Sequence, residues 1–278
     1  MLIFKTIAET KNYLKNQNKS IGFVPTMGAL HAGHLSLIER SKLENDLTVC
    51  SIFVNPTQFN NPEDLKKYPR TLERDCEMLE SVGCDVVFAP SAAEMYPTLP
   101  VLKIDFGNLE RVMEGKFRAG HFNGVGIVVS KLFNIVKPNR AYFGQKDFQQ
   151  VAVLRQLVKD LSFDLELISC STLREKDGLA MSSRNARLTP ENRILAPEIY
   201  KSLLLAKGFL MVGKSISETQ LAVNQHFMKF AAFKLEYFEI VDFDSLETLE
   251  EFDFNKKTAL CIAAFLENVR LIDNIVLN

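Results

Sequence analysis

Basic excess is missing from this chain: 33 lysines and arginines stand against 34 aspartates and glutamates, a formal charge of −1. No global basic field draws it to nucleic acid or to an anionic membrane, which argues against a tRNA partner. Long hydrophobic runs are missing as well. No segment approaches the ~18 to 20 apolar residues that span a bilayer, and Met1 to Thr10 carries no basic stretch followed by an apolar core, so a cytoplasmic protein is expected. The five cysteines (Cys50, Cys76, Cys84, Cys170, Cys261) are odd in number and never spaced C-x-x-C, which argues against a disulfide framework or a zinc site. Cys50, Cys170 and Cys261 lie in apolar runs, where a free cysteine packs as a small hydrophobe. Histidine is scarce: there are four, and His31 and His34 share one short segment, leaving only His121 and His226 elsewhere.

The remaining composition is that of an ordinary globular protein, 47% apolar and 24% charged over 278 residues, enough for one large domain or two unequal ones. Strand-like runs at 21–24, 48–53, 85–88, 140–143 and 165–169 alternate with helical patterns at 35–44, 72–82, 124–135 and 148–161. This is the βαβ rhythm of an α/β, Rossmann-like parallel sheet. After Ser169 the rhythm stops. A polar stretch from Arg174 to Arg187 leads through Pro190 and Pro197 into helix, and Ser215 with Glu218 forms a capping-box pattern for another. Strand-like runs at 235–241, 258–265 and 269–275 complete a smaller α+β domain. The expected division is 1–170 and 171–278.

In open parallel sheets ligands bind beyond the carboxyl ends of the strands, and the polar segments that follow strands here are the candidate site. The first runs Pro25-Thr26-Met27-Gly28-Ala29-Leu30-His31-Ala32-Gly33-His34 from a strand into a helix. Free N–H groups and the helix dipole there attract phosphate. Glycine lets the backbone approach a ligand or take positive φ, and two histidines three apart on a helical turn can face one phosphate. Imidazole can donate a hydrogen bond or carry charge as diphosphate leaves. The second, Asn55-Pro56-Thr57-Gln58, offers neutral amides suited to the hydroxyls and carboxylate of a polyhydroxy acid. The third, Gly144-Gln145-Lys146-Asp147, puts a mobile ammonium near a helix start, with Gln150 about a turn beyond. The fourth, Met181-Ser182-Ser183-Arg184, carries hydroxyl and guanidinium donors that can clamp a triphosphate.

The first segment resembles the H-x-G-H signature of the nucleotidyltransferase and class I aminoacyl-tRNA synthetase superfamily. In its longer form P-T-M-G-A-L-H-x-G-H it is similar to the pantoate–β-alanine ligase family. Further along, Phe117-Arg118-Ala119-Gly120-His121-Phe122 and Phe143-Gly144-Gln145-Lys146-Asp147-Phe148-Gln149-Gln150 are similar to that family's F-R-P-G-H-F and F-G-x-K-D-x-Q-Q stretches, and Met181-Ser182-Ser183-Arg184 to the superfamily's K-M-S-K-S loop, in that order. The departures are Ala119 in place of a proline, Arg74 where some members carry an acid, and Leu173 where relatives often have valine. The resemblance implies ATP-dependent condensation of (R)-pantoate with β-alanine through pantoyl adenylate, giving pantothenate, AMP and diphosphate. It further implies a smaller domain that covers the active site, a homodimer, and Mg²⁺ accompanying ATP, with no metal-ligating side chains assigned.

Catalytic roles then fall to His34, His31, Lys146, Ser182, Ser183 and Arg184, with His34 as proton donor. ATP contacts fall to the segment 27–34, to Gly144, Gln145, Lys146 and Asp147, and to Leu173 and the segment 181–184. Substrate contacts fall to Gln58, Gln150, Pro25, Thr26, Asn55 and Tyr68. Two other readings remain open at this point: a nucleotidyltransferase that consumes no amine, and a non-catalytic sensor that closes its 181–185 loop on ATP.

Overall fold

The computed structural model describes residues 1–60 and 62–277, and they form two compact units. The first comprises Met1–Gly144 with Gln150–Cys170; the second comprises Gln145–Gln149 with the chain from Ser171 onward. The turn Gln145–Gln149 thus groups with the later part of the chain, although it lies inside the stretch expected to form the first domain.

The first unit contains, in order, β1 (Leu2–Phe4), α1 (Ile7–Lys15), β2 (Ile21–Thr26), α2 (Ala32–Glu44), β3 (Leu47–Ile52), α3 (Pro62–Lys67), α4 (Leu72–Ser81), β4 (Val86–Phe88), α5 (Ala92–Met95), α6 (Met113–Phe117), α7 (His121–Val136), β5 (Arg140–Gly144), α8 (Phe148–Asp160, shared in sequence with the second unit) and β6 (Glu166–Cys170). The six strands form one sheet in the order β1-β4-β3-β2-β5-β6, and every pairing is parallel. Alternation of side chains sorts each strand between two cores. Ile21, Phe23, Val49, Ala141 and Phe143 face α1, α7 and α8, while Val24, Cys50, Val87 and Tyr142 face Leu37 and Ile38 of α2 and Leu79 of α4. Strands buried on both faces read as continuous apolar runs, which is why they are visible in the sequence.

From β2 the chain winds outward through β3 and β4 on one side, and from β5 through β6 on the other. The switch point therefore lies between β2 and β5, where an open parallel sheet leaves a crevice at its carboxyl edge. The β2–β5 ladder ends at Phe23–Ala141, whereas the β2–β3 ladder continues to Thr26–Ile52. Pro25, with no N–H to donate, occupies the stretch of β2 beyond the end of the β5 ladder.

The second unit holds α9 (Pro190–Leu195), α10 (Glu198–Met211) and α11 (Ile216–Phe227). These precede an antiparallel sheet of β7 (Phe233–Asp242), β8 (Thr258–Leu266) and β9 (Val269–Leu277), with β8 central. Its own core joins Ile199, Leu203 and Leu210 of α10 and Val223 of α11 to Leu260, Ile262 and Ala264 of β8. The Ser215–Glu218 capping box forms as its sequence predicts, and α11 starts there.

Five elements of the first unit carry no expectation from the sequence: β1, α1, α3, α5 and α6. Three residues are too few for an alternation to register, and β1 gains its place only by pairing with β4.

Candidate active site

The segment after β2 is held by hydrogen bonds that begin in the strand. Thr26 Oγ1 donates to Ser51 O (2.7 Å) and accepts from Gly28 N–H (3.2 Å). The chain then turns through two left-handed residues, Gly28 (φ 79°) and Ala29 (φ 51°). Glycine is required at the first, because a Cβ there would lie 2.9 Å from Asp75 Oδ2 as well as being strained. The alanine is stabilised by the buried carboxylate of Asp75, which accepts Ala29 N–H at 2.9 Å and Leu30 N–H at 2.8 Å, with Thr71 Oγ1 at 3.2 Å.

The helix that follows is capped by its histidines. His31 is the N-cap of α2, and its Nδ1 accepts Gly33 N–H at 3.1 Å; His34 Nδ1 in turn accepts His31 N–H at 3.3 Å. This is a reciprocal capping box built from imidazoles, and the two ring centroids lie 4.0 Å apart. Because each Nδ1 is occupied as an acceptor, each neutral ring carries its proton on Nε2. Both rings therefore act as Nε2–H donors at the N-terminus of a helix, where the dipole already favours an anion.

The Asn55–Gln58 turn is buried in the same unit. Asn55 Nδ2 donates to Gln58 Oε1 (3.1 Å) and Gly124 O (3.2 Å), and its Oδ1 accepts from Tyr96 OH (2.9 Å) and Thr57 Oγ1 (3.0 Å). Gln58 Nε2 reaches Met27 Sδ at 3.1 Å, which places the amide beside the start of the histidine segment. His121, at the start of α7, meets Gln58 O through Nδ1 (2.9 Å) and Arg118 Nη1 through Nε2 (3.1 Å). Arginine only donates, so Nε2 accepts and Nδ1 carries the proton that holds the Gln58 carbonyl. Val125, Val128 and Val129 of α7 are buried in the core. Tyr68 packs its ring edge-on against Phe59, centroids 5.8 Å apart, and Gln150 lies in the first turn of α8.

In the second unit Lys146 is mostly buried and stands 3.8 Å from Asp147. The polar stretch closes on itself: Arg174 pairs with Ala180 as an isolated bridge, and Met181 N–H donates to Leu173 O (3.0 Å). Ser182 caps a short 3₁₀ turn over Ser183–Arg187, its Oγ accepting Arg184 N–H at 3.3 Å, and Asn185 Nδ2 ties the turn back to Ala180 O (3.0 Å). Ser182, Ser183 and Arg184 thus follow one another on an ordered turn, and Lys146 groups with the same unit. Among the described residues no cluster of three or more His, Cys, Asp or Glu side chains is placed to hold a metal ion.

A family model described as pantoate-beta-alanine ligase matches residues 2–276. The chain belongs to that family. It is similar to a pantothenate synthetase of Cytophaga hutchinsonii, 53% identical over 95% of this chain and 93% of the relative. It is also similar to one of Bacteroides fragilis, 50% identical over 99% and 98%. Among solved structures, the pantothenate synthetase of Thermus thermophilus superposes with a TM-score of 0.93 at 42% identity, covering 99% of each chain. The pantoate-beta-alanine ligase of Francisella tularensis, complexed with beta-gamma ATP and beta-alanine, gives a TM-score of 0.84 at 39% identity over 99% and 97%.

One residue beside the histidine segment has a structural role that the sequence does not announce. Asp75 follows Arg74, which stands out in the sequence only as a departure from the family pattern, yet it holds the turn on which the histidine segment depends. Its signal would have been a carboxylate in the first turn of an amphipathic helix, which sequence alone does not separate from an ordinary helix-dipole partner.

Proposed function

We propose that this chain joins (R)-pantoate to β-alanine at the expense of ATP, in two steps. A pantoate carboxylate oxygen attacks the α-phosphorus, the bond from that phosphorus to the bridging oxygen breaks, and diphosphate leaves with the electron pair. The amine of β-alanine then attacks the acyl carbon of pantoyl adenylate, AMP leaves, and the nitrogen releases its extra proton as the amide forms. The reading is carried above all by the histidine pair: two imidazoles, each with its proton on Nε2, at the N-terminus of α2 and the carboxyl end of β2. Donors fixed where phosphate charge develops need no reorganisation when diphosphate departs.

In this reading His34 donates to the phosphate oxygens with His31 beside it, and Lys146, Ser182, Ser183 and Arg184 meet the remaining charge. Backbone N–H groups of 27–34 approach the nucleotide, with Gly144, Gln145, Asp147, Leu173 and Met181 as its other contacts. Gln58, Asn55, Gln150, Pro25, Thr26 and Tyr68 orient pantoate and β-alanine, a proximity effect that can supply about 7–11 kcal/mol. Mg²⁺ enters with ATP as part of the substrate. The enzyme works in the cytoplasm as a homodimer, for which the exposed Leu99, Val101 and Leu102 offer apolar surface.

The test is AMP and diphosphate release from ATP, Mg²⁺ and pantoate, with β-alanine present or omitted, and mass spectrometry of the products. Pantothenate should form only with both acids, and pantoyl adenylate should accumulate when β-alanine is withheld. His34→Ala should slow diphosphate release by ~10² to 10³. ATP binding without diphosphate release, or a folded His34→Ala variant at near-normal rate, would overturn the assignment.

A further inference from the structure

Strand β9 carries Asp273 and Asn274, both buried, in a segment whose sequence points to no chemistry. Asn274 Nδ2 donates to Gln145 O and to Lys146 O, each at 2.9 Å. Two carbonyl oxygens can be met only by the NH₂ end of the amide, so its orientation is set by its partners. The neighbouring Asp273 grips Arg174 with both oxygens, Oδ2 to Nη1 at 2.6 Å and Oδ1 to Nη2 at 3.0 Å, a two-pronged pairing that fixes direction as well as distance.

Arg174 also donates to Gly178 O (3.1 Å) and Asn274 O (3.2 Å), and its guanidinium carbon lies 3.8 Å from the Tyr200 ring centroid. Gly178 adopts φ +94° and would bring a Cβ to 2.5 Å from that ring, so the polar stretch follows this path only with glycine there. Successive residues of a strand point to opposite sides. One strand can therefore hold both the turn that bears Lys146 and the stretch that leads to Ser182, Ser183 and Arg184.

We propose that Asn274, braced by the Arg174–Asp273 pair, is a positioning residue for adenylate formation: by fixing the carbonyls of Gln145 and Lys146 it fixes where the Lys146 ammonium meets the triphosphate. The proposal rests on the ligase reading above. Lysine is a point charge on a flexible stem, so the backbone beneath it decides which oxygens it reaches. Misplacing such a group by about 1 Å can cost ~10²-fold in rate.

The experiment is a double-mutant cycle on Asn274 and Lys146, read as single-turnover diphosphate release from ATP and pantoate. Asn274→Ala should slow release about 10- to 100-fold in the wild-type background, while thermal unfolding shows the variant folded. In the Lys146→Ala background the same substitution should change the rate by less than about twofold, because the group it positions is gone. If Asn274→Ala does not fold, Asn274→Asp, of nearly the same volume but with no amide donor, replaces it in the same cycle.

A rate within about twofold of wild type in a folded Asn274 variant overturns the proposal, and so does an equal loss in both backgrounds, which marks a merely structural residue. Wild-type protein that releases no diphosphate from ATP and pantoate overturns the ligase reading itself. The two failures are thereby distinct.

Discussion

Asp75 is the residue on which the histidine turn depends most directly, because a carboxylate with two acceptor oxygens answers two consecutive N–H groups, those of Ala29 and Leu30. Asparagine offers one acceptor in place of two and presents an N–H to an N–H, leaving a buried backbone donor unpaired at about 1–3 kcal/mol. Asp75→Asn should therefore lower the stability measured by urea unfolding by roughly 2 kcal/mol. It should also slow diphosphate release, because Ala29 loses the partner that favours its left-handed φ. A variant with both the urea midpoint and the rate of the wild type would show that the turn holds itself. At this scale the sequence is legible where the chemistry is consecutive, as from Pro25 to His34, and opaque where it is not. Asp75 is 46 residues from Ala29, and no local pattern says which N–H group a carboxylate will find.

Among the elements, the described chain starts three helices with the same reciprocal device: Thr6 with Glu9, His31 with His34, and Ser215 with Glu218. The third is legible as S-x-x-E before an apolar run. The second is not, because imidazole serves there as an acceptor in place of a hydroxyl and a carboxylate. This is also why α2 begins at Ala32, ahead of the first apolar repeat at Leu35. The Ser215 box makes a pH prediction. Glu218 is held at about 2, against an ordinary 4.5, by Lys214 and by the Ser215 side chain and N–H. Its folded-state value is the lower one, so its contribution is present above about 4.5 and is lost as pH falls toward about 2. Glu218→Gln should lower Tm at pH 7, and the deficit should shrink through that window until the two proteins melt together near its lower end. A deficit that is constant with pH would assign the effect to lost packing instead of lost charge.

At the scale of the whole molecule, each unit has its own core, one pair of sheet faces sealed by helices around β2, β3 and β5, the other built on β8 with α10 and α11. The change from parallel to antiparallel pairing is legible in the sequence because the βαβ rhythm stops after Ser169. The grouping of Gln145–Gln149 with the second unit is not legible, since it involves Asn274, some 129 residues from Gln145. Units with separate cores unfold as separate cooperative blocks, so calorimetry should give a van't Hoff enthalpy below the calorimetric one. Phe133 in the first core and Ile262 in the second are each at most 1% exposed. Their replacement by alanine should cost about 3–5 and about 2–5 kcal/mol respectively, through lost burial and the cavity left behind. Phe133→Ala should move one component of the transition and Ile262→Ala the other. A single transition with equal enthalpies, displaced as a whole by either variant, would instead mean that the two cores are one cooperative unit. The Asn274 cycle would then have to be read against global unfolding as well as against Lys146.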